Sequence, residues 1–158
     1  MNEKMNKQEQ YNEVLPQLAA LLEGEHELMS VLSNAAALLH QTFQWWWTGF
    51  YLVREGELRL GPFQGPVACM HIAFGRGVCG TAWEQQQTVV VPDVDQFPGH
   101  IACSSESRSE IVVPLFDAHH KVIGVLDIDS RELNTFDETD RQNLEQVANI
   151  IAQAITSA

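Results

Sequence analysis

Residues 43–63, FQWWWTGFYLVREGELRLGPF, decide the fold. Upstream, apolar residues recur at helical spacing; within this stretch the period becomes that of a strand. Aromatic and β-branched residues run from about Gln44 to Val53, which predicts a strand. REGE supplies a turn with Gly56 at its centre, and ELRLGPF returns as the second arm of a hairpin. Trp45, Trp46 and Trp47 are consecutive, so they cannot all face one core. Strand alternation puts Trp47, Gly49 and Tyr51 on one face and Trp46, Thr48 and Phe50 on the other. One set is expected in the core and the other at a pocket or an interface. For any single ring, core packing is the default reading.

Working outward, residues 9–23 carry Val14, Leu15, Leu18, Leu21 and Leu22 on one broad face, which predicts a helix with Pro16 in its first turn and Gly24 as its stop. A second helix is expected over 25–41. Past the hairpin, VACMHIAF reads as a third strand with Cys69 inside it. GRGVCG turns into a short helix, VCGTAWEQQ. TVVVPDV is a fourth strand, stopped by Pro92, and residues 93–108 form a polar loop of a length common in functional loops. EIVVPLFD and KVIGVLDIDS are two strands joined at DAHHK. A closing helix spans 137–156, with Thr135 and Asp137 offering N-cap oxygens. Strands bracketed by helices predict an α+β domain: a six-stranded, mainly antiparallel sheet with the N- and C-terminal helices packed on one face. The 158 residues are expected to form a single domain, with 1–10 as a flexible N-terminal tail.

The chain holds 21 acidic against 9 basic residues, a net charge of -12. That field repels a phosphate backbone and an anionic membrane surface, so neither nucleic acid nor membrane is an expected partner. For the rest, the charge reads as solubility. No apolar run approaches the ~18 residues of a membrane span. The first ten residues are polar, so no signal peptide is expected, and the predicted compartment is the cytoplasm, where thiols stay reduced.

Three cysteines follow the spacings C-x9-C and C-x23-C, with no CxxC. The histidines show no HExxH, so no metal site is expected. Cys103 lies in HIACSSESRSEIVVP, a serine-rich stretch with little apolar cover. Either that loop folds over something or the thiol reacts. Cys79 falls at a predicted helix N-terminus, which lowers a thiol pKa, so a thiolate is expected there. A loop folding back over the sheet brings Cys69, Cys79 and Cys103 together; buried inert thiols are the competing reading. Asp127 and Asp129 share one face of a strand, and Glu110 opens its neighbour. Buried carboxylates close together raise one another's pKa, and such a group binds an ammonium or holds a proton for acid chemistry. The same spacing also fits two aspartates facing solvent at a strand end. His100 stands near Cys103 and favours its thiolate. His119 and His120 fall in a turn and are expected to be solvated.

WTGFYL, LGPFQG, GVCGTAWEQ, VPDVDQFPGHIAC, SEIVVPL and IGVLDIDS, in that order, closely resemble the free methionine-(R)-sulfoxide reductases, which are single GAF-domain enzymes. The resemblance runs from about residue 12 to the C-terminus. It implies a GAF-like fold and reduction of the R epimer of free methionine sulfoxide, with no bound cofactor and thioredoxin as electron donor. It makes Cys103 the catalytic cysteine, Cys69 a resolving cysteine and Cys79 a third that also enters disulfides. Glu110, Asp127 and Asp129 match the carboxylates around the substrate, and Trp47 and Tyr51 its aromatic walls. The aspartates are also the expected source of the proton for the departing oxygen. A homodimer is implied as well. Two departures stand out: Trp46 replaces the small polar residue common before the last tryptophan, and the DAHHK turn is about one residue longer. The alternative reading is a non-catalytic GAF module that senses a small molecule and acts through a partner.

Overall fold

A computed structural model describes residues 5–100 and 106–157 of the chain. Cys103 lies outside them. The elements follow in the order α1 (Lys7–Leu22), α2 (Leu28–Phe43), β1 (Trp47–Arg54), β2 (Glu57–Gln64), β3 (His71–Ala73), α3 (Gly77–Gln85), β4 (Val89–Val91), a short 3-10 turn (Val94–Gln96), β5 (Ser109–Phe116), β6 (Val122–Ser130) and α4 (Glu138–Thr156). The six strands form one sheet in the order β3-β2-β1-β6-β5-β4, and every neighbouring pair is antiparallel.

Strand alternation divides this sheet into two faces. Phe50, Ile111, Val113, Leu126 and Ile128 point to one side, where α1, α2 and α4 cover them with Leu18, Leu32, Leu144 and Ile151. Each fully buried leucine or isoleucine there contributes ~1.5–3 kcal/mol relative to its exposure. Tyr51, Val112 and Val125 point to the other side, where, among the described residues, the short α3 lies over the sheet with Val78 and Ala82, joined by Val94 of the 3-10 turn. The α+β architecture therefore stands as expected, with its terminal helices sharing a face. The thinly covered face is the one that holds the pocket.

Four local expectations are corrected. Helix α1 begins at Lys7, so residues 7–10 belong to it and not to a flexible tail. Its first turn is fixed from both sides: the Asn6 side chain accepts from Glu9 N–H at 2.8 Å, the Lys7 ammonium reaches Asp140 at 2.6 Å, and the Tyr11 hydroxyl donates to Asp140 at 2.6 Å. Pro16 consequently sits inside the helix and not in its first turn; it is exposed there. Strand β1 starts at Trp47, because Gln44 closes α2 in the left-handed conformation (φ 56°), and Trp45 stacks back on Phe43. Strand β3 shrinks to three residues, which leaves Cys69 in the loop ahead of it. Gly65 at φ +139° and Pro66 turn the chain out of the ladder there.

At the other end, Asp137 caps α4 by accepting from the backbone N–H groups of Thr139 and Asp140, and the Asp140 carboxylate returns to Asp137 N–H at 3.0 Å. This capping box satisfies donors that a helix start otherwise leaves open. No helix among the described residues is long and apolar enough to cross a membrane.

Candidate active site

The pocket is built on a cross-strand register. Asp127 and Asp129 project from the same face of β6, as alternation requires. Glu110 on β5 is the partner of Asp129, and on β1 Gly49 is the partner of Asp127 and Trp47 that of Asp129. Gly49 is required by this arrangement. A Cβ there would lie 2.3 Å from Phe63 Cβ and 2.7 Å from Trp47 Cη2, so the indole crosses the sheet through the space that a side chain would fill. The Trp47 ring stacks on Phe63 at 5.2 Å and faces Tyr51 at 6.0 Å, making an aromatic wall beside the carboxylates.

Helix α3 supplies the opposite wall. Gly80 lets it approach β3: a Cβ would meet the Ala73 carbonyl at 2.6 Å. Cys79 in its first turn thereby reaches the sheet, and its Sγ and one oxygen each of Glu110 and Asp127 lie within 4.8 Å of one another, all buried. Trp47, Tyr51, Cys79, Glu110, Asp127 and Asp129 thus line one pocket, walled further by Trp46, Val67 and His100. Trp46 reaches it because it sits in a bend before β1, outside the alternation that assigned it to the helical face. Thr48 and Phe50 do point to that other side, and both are buried.

The electrostatics follow from burial. Glu110 and Asp127 are nearly inaccessible, and burial pushes both carboxyl groups up. The charge on Asp127 raises Glu110 further. Asp129 is raised by the same two causes, though its place at the half-exposed rim lets water soften the effect. Asp127 differs in being relieved: hydrogen bonds from Glu110, the Cys79 thiol and Asp129 favour its ionised form. Of the three, Asp127 is the carboxyl whose surroundings most favour the ionised form. One Asp127 oxygen, Oδ1, is buried with no hydrogen-bond partner among the described residues. The basic side chains nearest the cluster are His100, with Nε2 3.9 Å from Glu110 Oε1, and the pocket's Arg76. Ser107 donates to Asp129 at 3.4 Å.

The expectation of a Cys79 thiolate fails. Burial, followed by the charges of Asp127 and Glu110, pushes the thiol well above its ordinary value. Three acidic neighbours outweigh a helix terminus worth a fraction of a charge. Cys79 is a free thiol, whereas Cys69 is disulfide-bonded.

Sequence reasoning missed what the two aromatics do with their polar ends. Trp47 Nε1–H donates to the Pro66 carbonyl at 3.0 Å, and the Tyr51 hydroxyl donates to the Cys69 carbonyl at 2.9 Å. The rings that wall the pocket also fix the loop that carries Cys69. The available signal was chemical: a buried Trp or Tyr needs a partner for its N–H or O–H, and an unpaired loop offers carbonyls.

The sequence profile of the GAF domain matches residues 25–156. GAF domain-containing protein A of Dictyostelium discoideum is 54% identical over 149 residues, covering 94% of each chain. The free methionine-R-sulfoxide reductase of Escherichia coli is 46% identical over 144 residues, covering 90% of this chain and 87% of the relative. The X-ray structure of the free methionine-R-sulfoxide reductase of Neisseria meningitidis in complex with its substrate superposes with a TM-score of 0.94 at 52% identity, covering 98% of this chain and 93% of that one. From the carboxylate pocket, the fold and these likenesses together, the chain belongs to the GAF-domain family and, within it, to the free methionine-R-sulfoxide reductases.

Proposed function

We infer that this chain reduces free L-methionine-(R)-sulfoxide to methionine, through a sulfenic acid on Cys103 and an intramolecular disulfide that thioredoxin reduces. The observation that carries the substrate class is the unpartnered oxygen of Asp127 in a buried cluster of three carboxylates beside an aromatic wall. Such a cluster needs a cation, and the α-ammonium of a free amino acid is one. A methionine sulfoxide within a polypeptide has no ammonium, and its binding would leave the carboxylates uncompensated. Trp47 and Tyr51 offer apolar surface to the S-methyl end.

In the proposed reaction the Cys103 sulfur attacks the sulfoxide sulfur. A bond forms between the two sulfurs as the oxygen, taking one proton from the thiol and one from Asp129, departs as water. Burial and the charge on Asp127 push the Asp129 carboxyl up. A water then bonds to the Cys103 sulfur, returns a proton to Asp129, and breaks the sulfur–sulfur bond with its electron pair on methionine. Methionine leaves reduced by two electrons, and Cys103 is oxidised by two to the sulfenic acid. The Cys69 thiol condenses with that acid, releasing water and forming the disulfide. Two observations support Cys69 over Cys79 as the resolving residue: Cys69 is disulfide-bonded, and Cys79 is a free buried thiol whose burial disfavours the nucleophilic thiolate. Dithiol exchange with thioredoxin returns both thiols. A donor of this kind fits the cytoplasm, where disulfides do not persist. Two copies are proposed to pair through the long helices, on which Leu21 and Met29 stand exposed; sedimentation separates dimer from monomer.

Turnover of the two epimers of free methionine sulfoxide, with thioredoxin, thioredoxin reductase and NADPH, tests the reaction. NADPH consumption with the R epimer alone is expected, and loss of it in Cys103→Ser. No consumption with either epimer, from folded and reduced protein, overturns it.

A further inference from the structure

A second surface adjoins the pocket. From Gln64 to Phe74 the sequence QGPVACMHIAF carries no acidic residue, no lysine and no arginine, in a chain whose net charge is -12. Seven large apolar residues are exposed among the described residues, and three of them fall here: Val67 at 89%, Met70 at 68% and Phe74 at 51%. Cys69 lies between the first two and is itself half-exposed. The loop is held at three carbonyls, by Trp47 Nε1–H on Pro66, the Tyr51 hydroxyl on Cys69 itself and Leu60 N–H on Met70 at 3.0 Å. An apolar, backbone-anchored loop that lacks carboxylates and carries a half-buried, disulfide-bonded cysteine has the makings of a docking site.

We propose that the 67–74 segment, centred on Cys69 and Met70, is the docking surface for the dithiol protein that regenerates the enzyme, and that this partner attacks the Cys69 sulfur. The proposal rests on the thioredoxin-dependent reaction above and adds where and how the donor engages. The occupant is set by chemistry: the disulfide at Cys69 is the group to be reduced, so whatever covers this loop must bring a thiolate to it. Met70 and Phe74 do not line the substrate pocket, so this reading gives their exposure a role the substrate does not. The segment itself carries no carboxylate, and the Glu57 carboxylate that meets it at His71 is paired with Arg59, so a partner approaches with less of the repulsion that the rest of this acidic surface imposes.

The step balances as follows. The partner's thiolate forms a bond to Cys69 Sγ. The Cys69–Cys103 bond breaks, and its electron pair stays on the Cys103 sulfur, which leaves as a thiolate. The partner's second thiol then attacks its own sulfur in the mixed disulfide, and Cys69 leaves as the thiolate. Attack at Cys69 thus restores the catalytic thiolate first, ready for the next substrate.

Two measurements test this. In the first, the oxidised protein is mixed with a thioredoxin whose second active-site cysteine is replaced by serine, and the trapped adduct is mapped by mass spectrometry. Attachment to Cys69 is expected; attachment to Cys103 overturns the proposal. Trapping needs no sulfoxide turnover, so failure of the reaction itself would be told apart from failure of the docking surface. In the second, Met70→Asp is compared with Met70→Leu. Met70→Asp should raise the KM for thioredoxin ~10-fold, the size of a lost apolar interface contact. Its turnover with dithiothreitol and its KM for the sulfoxide should stay unchanged, and Met70→Leu should behave as wild type. An unchanged KM for thioredoxin in Met70→Asp overturns the proposal.

Discussion

Asp127 and Glu110 face each other in a pocket where neither can be hydrated, and the consequence is measurable on the protein without substrate. Glu110 holds its proton in the folded chain at pH values where the unfolded chain has released it. Stability therefore falls as pH rises above the ordinary glutamate value of 4.5, and keeps falling until the folded Glu110 ionises. Glu110→Gln removes this term. Thermal melts should show a smaller decline for the variant from ~pH 5 to 8, and a Tm above wild type at the upper end. The same variant should lose ~100-fold or more in kcat/KM for the sulfoxide, because Glu110 can ionise when the ammonium enters beside it and an amide cannot. A binding site that is unstable when empty is a common cost of function. The cysteines make a second residue-scale contrast. Cys69→Ser should lose thioredoxin-driven turnover by ~100-fold, whereas Cys79→Ser should keep it within ~10-fold, since a buried, protonated thiol is a poor nucleophile. Steady-state rates on the two variants distinguish these outcomes.

Element-scale effects separate stability from activity. The Asp137 side chain is largely exposed and serves to close the start of α4. Asp137→Ala should cost ~0.5–2 kcal/mol in denaturant unfolding and leave the KM for substrate unchanged, because α4 packs on the face away from the pocket. Gly49→Ala should do the reverse of a surface change. The added methyl group meets Phe63 and the Trp47 indole, so β1 and β2 part or the ring moves. A ring displaced by ~1 Å is expected to lower kcat/KM ~100-fold, with a changed near-ultraviolet circular dichroism signal reporting the aromatic wall. Normal activity in Gly49→Ala would mean that the indole does not position the substrate.

For the whole molecule, the division of labour between the two sheet faces sets the response to ligand. Among the described residues, three helices cover one face, and the other carries the nine-residue α3, the 3-10 turn and the pocket. In the proposed reading, substrate completes that second face by bringing an ammonium to the carboxylates. Free methionine sulfoxide at 100 times its Kd should stabilise the fold by ~2.7 kcal/mol, whereas the N-acetylated form, which lacks the ammonium, should produce no shift. Differential scanning fluorimetry with the two compounds reads this directly, and equal shifts would remove the carboxylates from the recognition account.

Much of this protein was determined by its sequence alone, because the periodicities involved are local. A strand alternates whatever surrounds it, so Asp127 and Asp129 had to share a face of β6, and Trp47 and Tyr51 a face of β1; the register between the two strands makes these one face of the sheet. Apolar stripes placed the long helices, and the side-chain oxygens of Thr135 and Asp137 announced the start of the last one. Tertiary structure decided what depends on neighbours distant in the chain. Cys79 looked like a thiolate from its helix terminus, but carboxylates 31 and 48 residues further on, at Glu110 and Asp127, reverse that. Cys69 looked like a strand residue from its apolar flanks, but Trp47 and Tyr51 claim the carbonyls of its loop. Pro16 looked like a first-turn residue until Asp140, more than 120 positions away, anchored Lys7 and Tyr11 and carried the helix past the end of its apolar pattern. Protonation states and loop positions are sums over spatial neighbours, and a sequence orders its neighbours only along the chain.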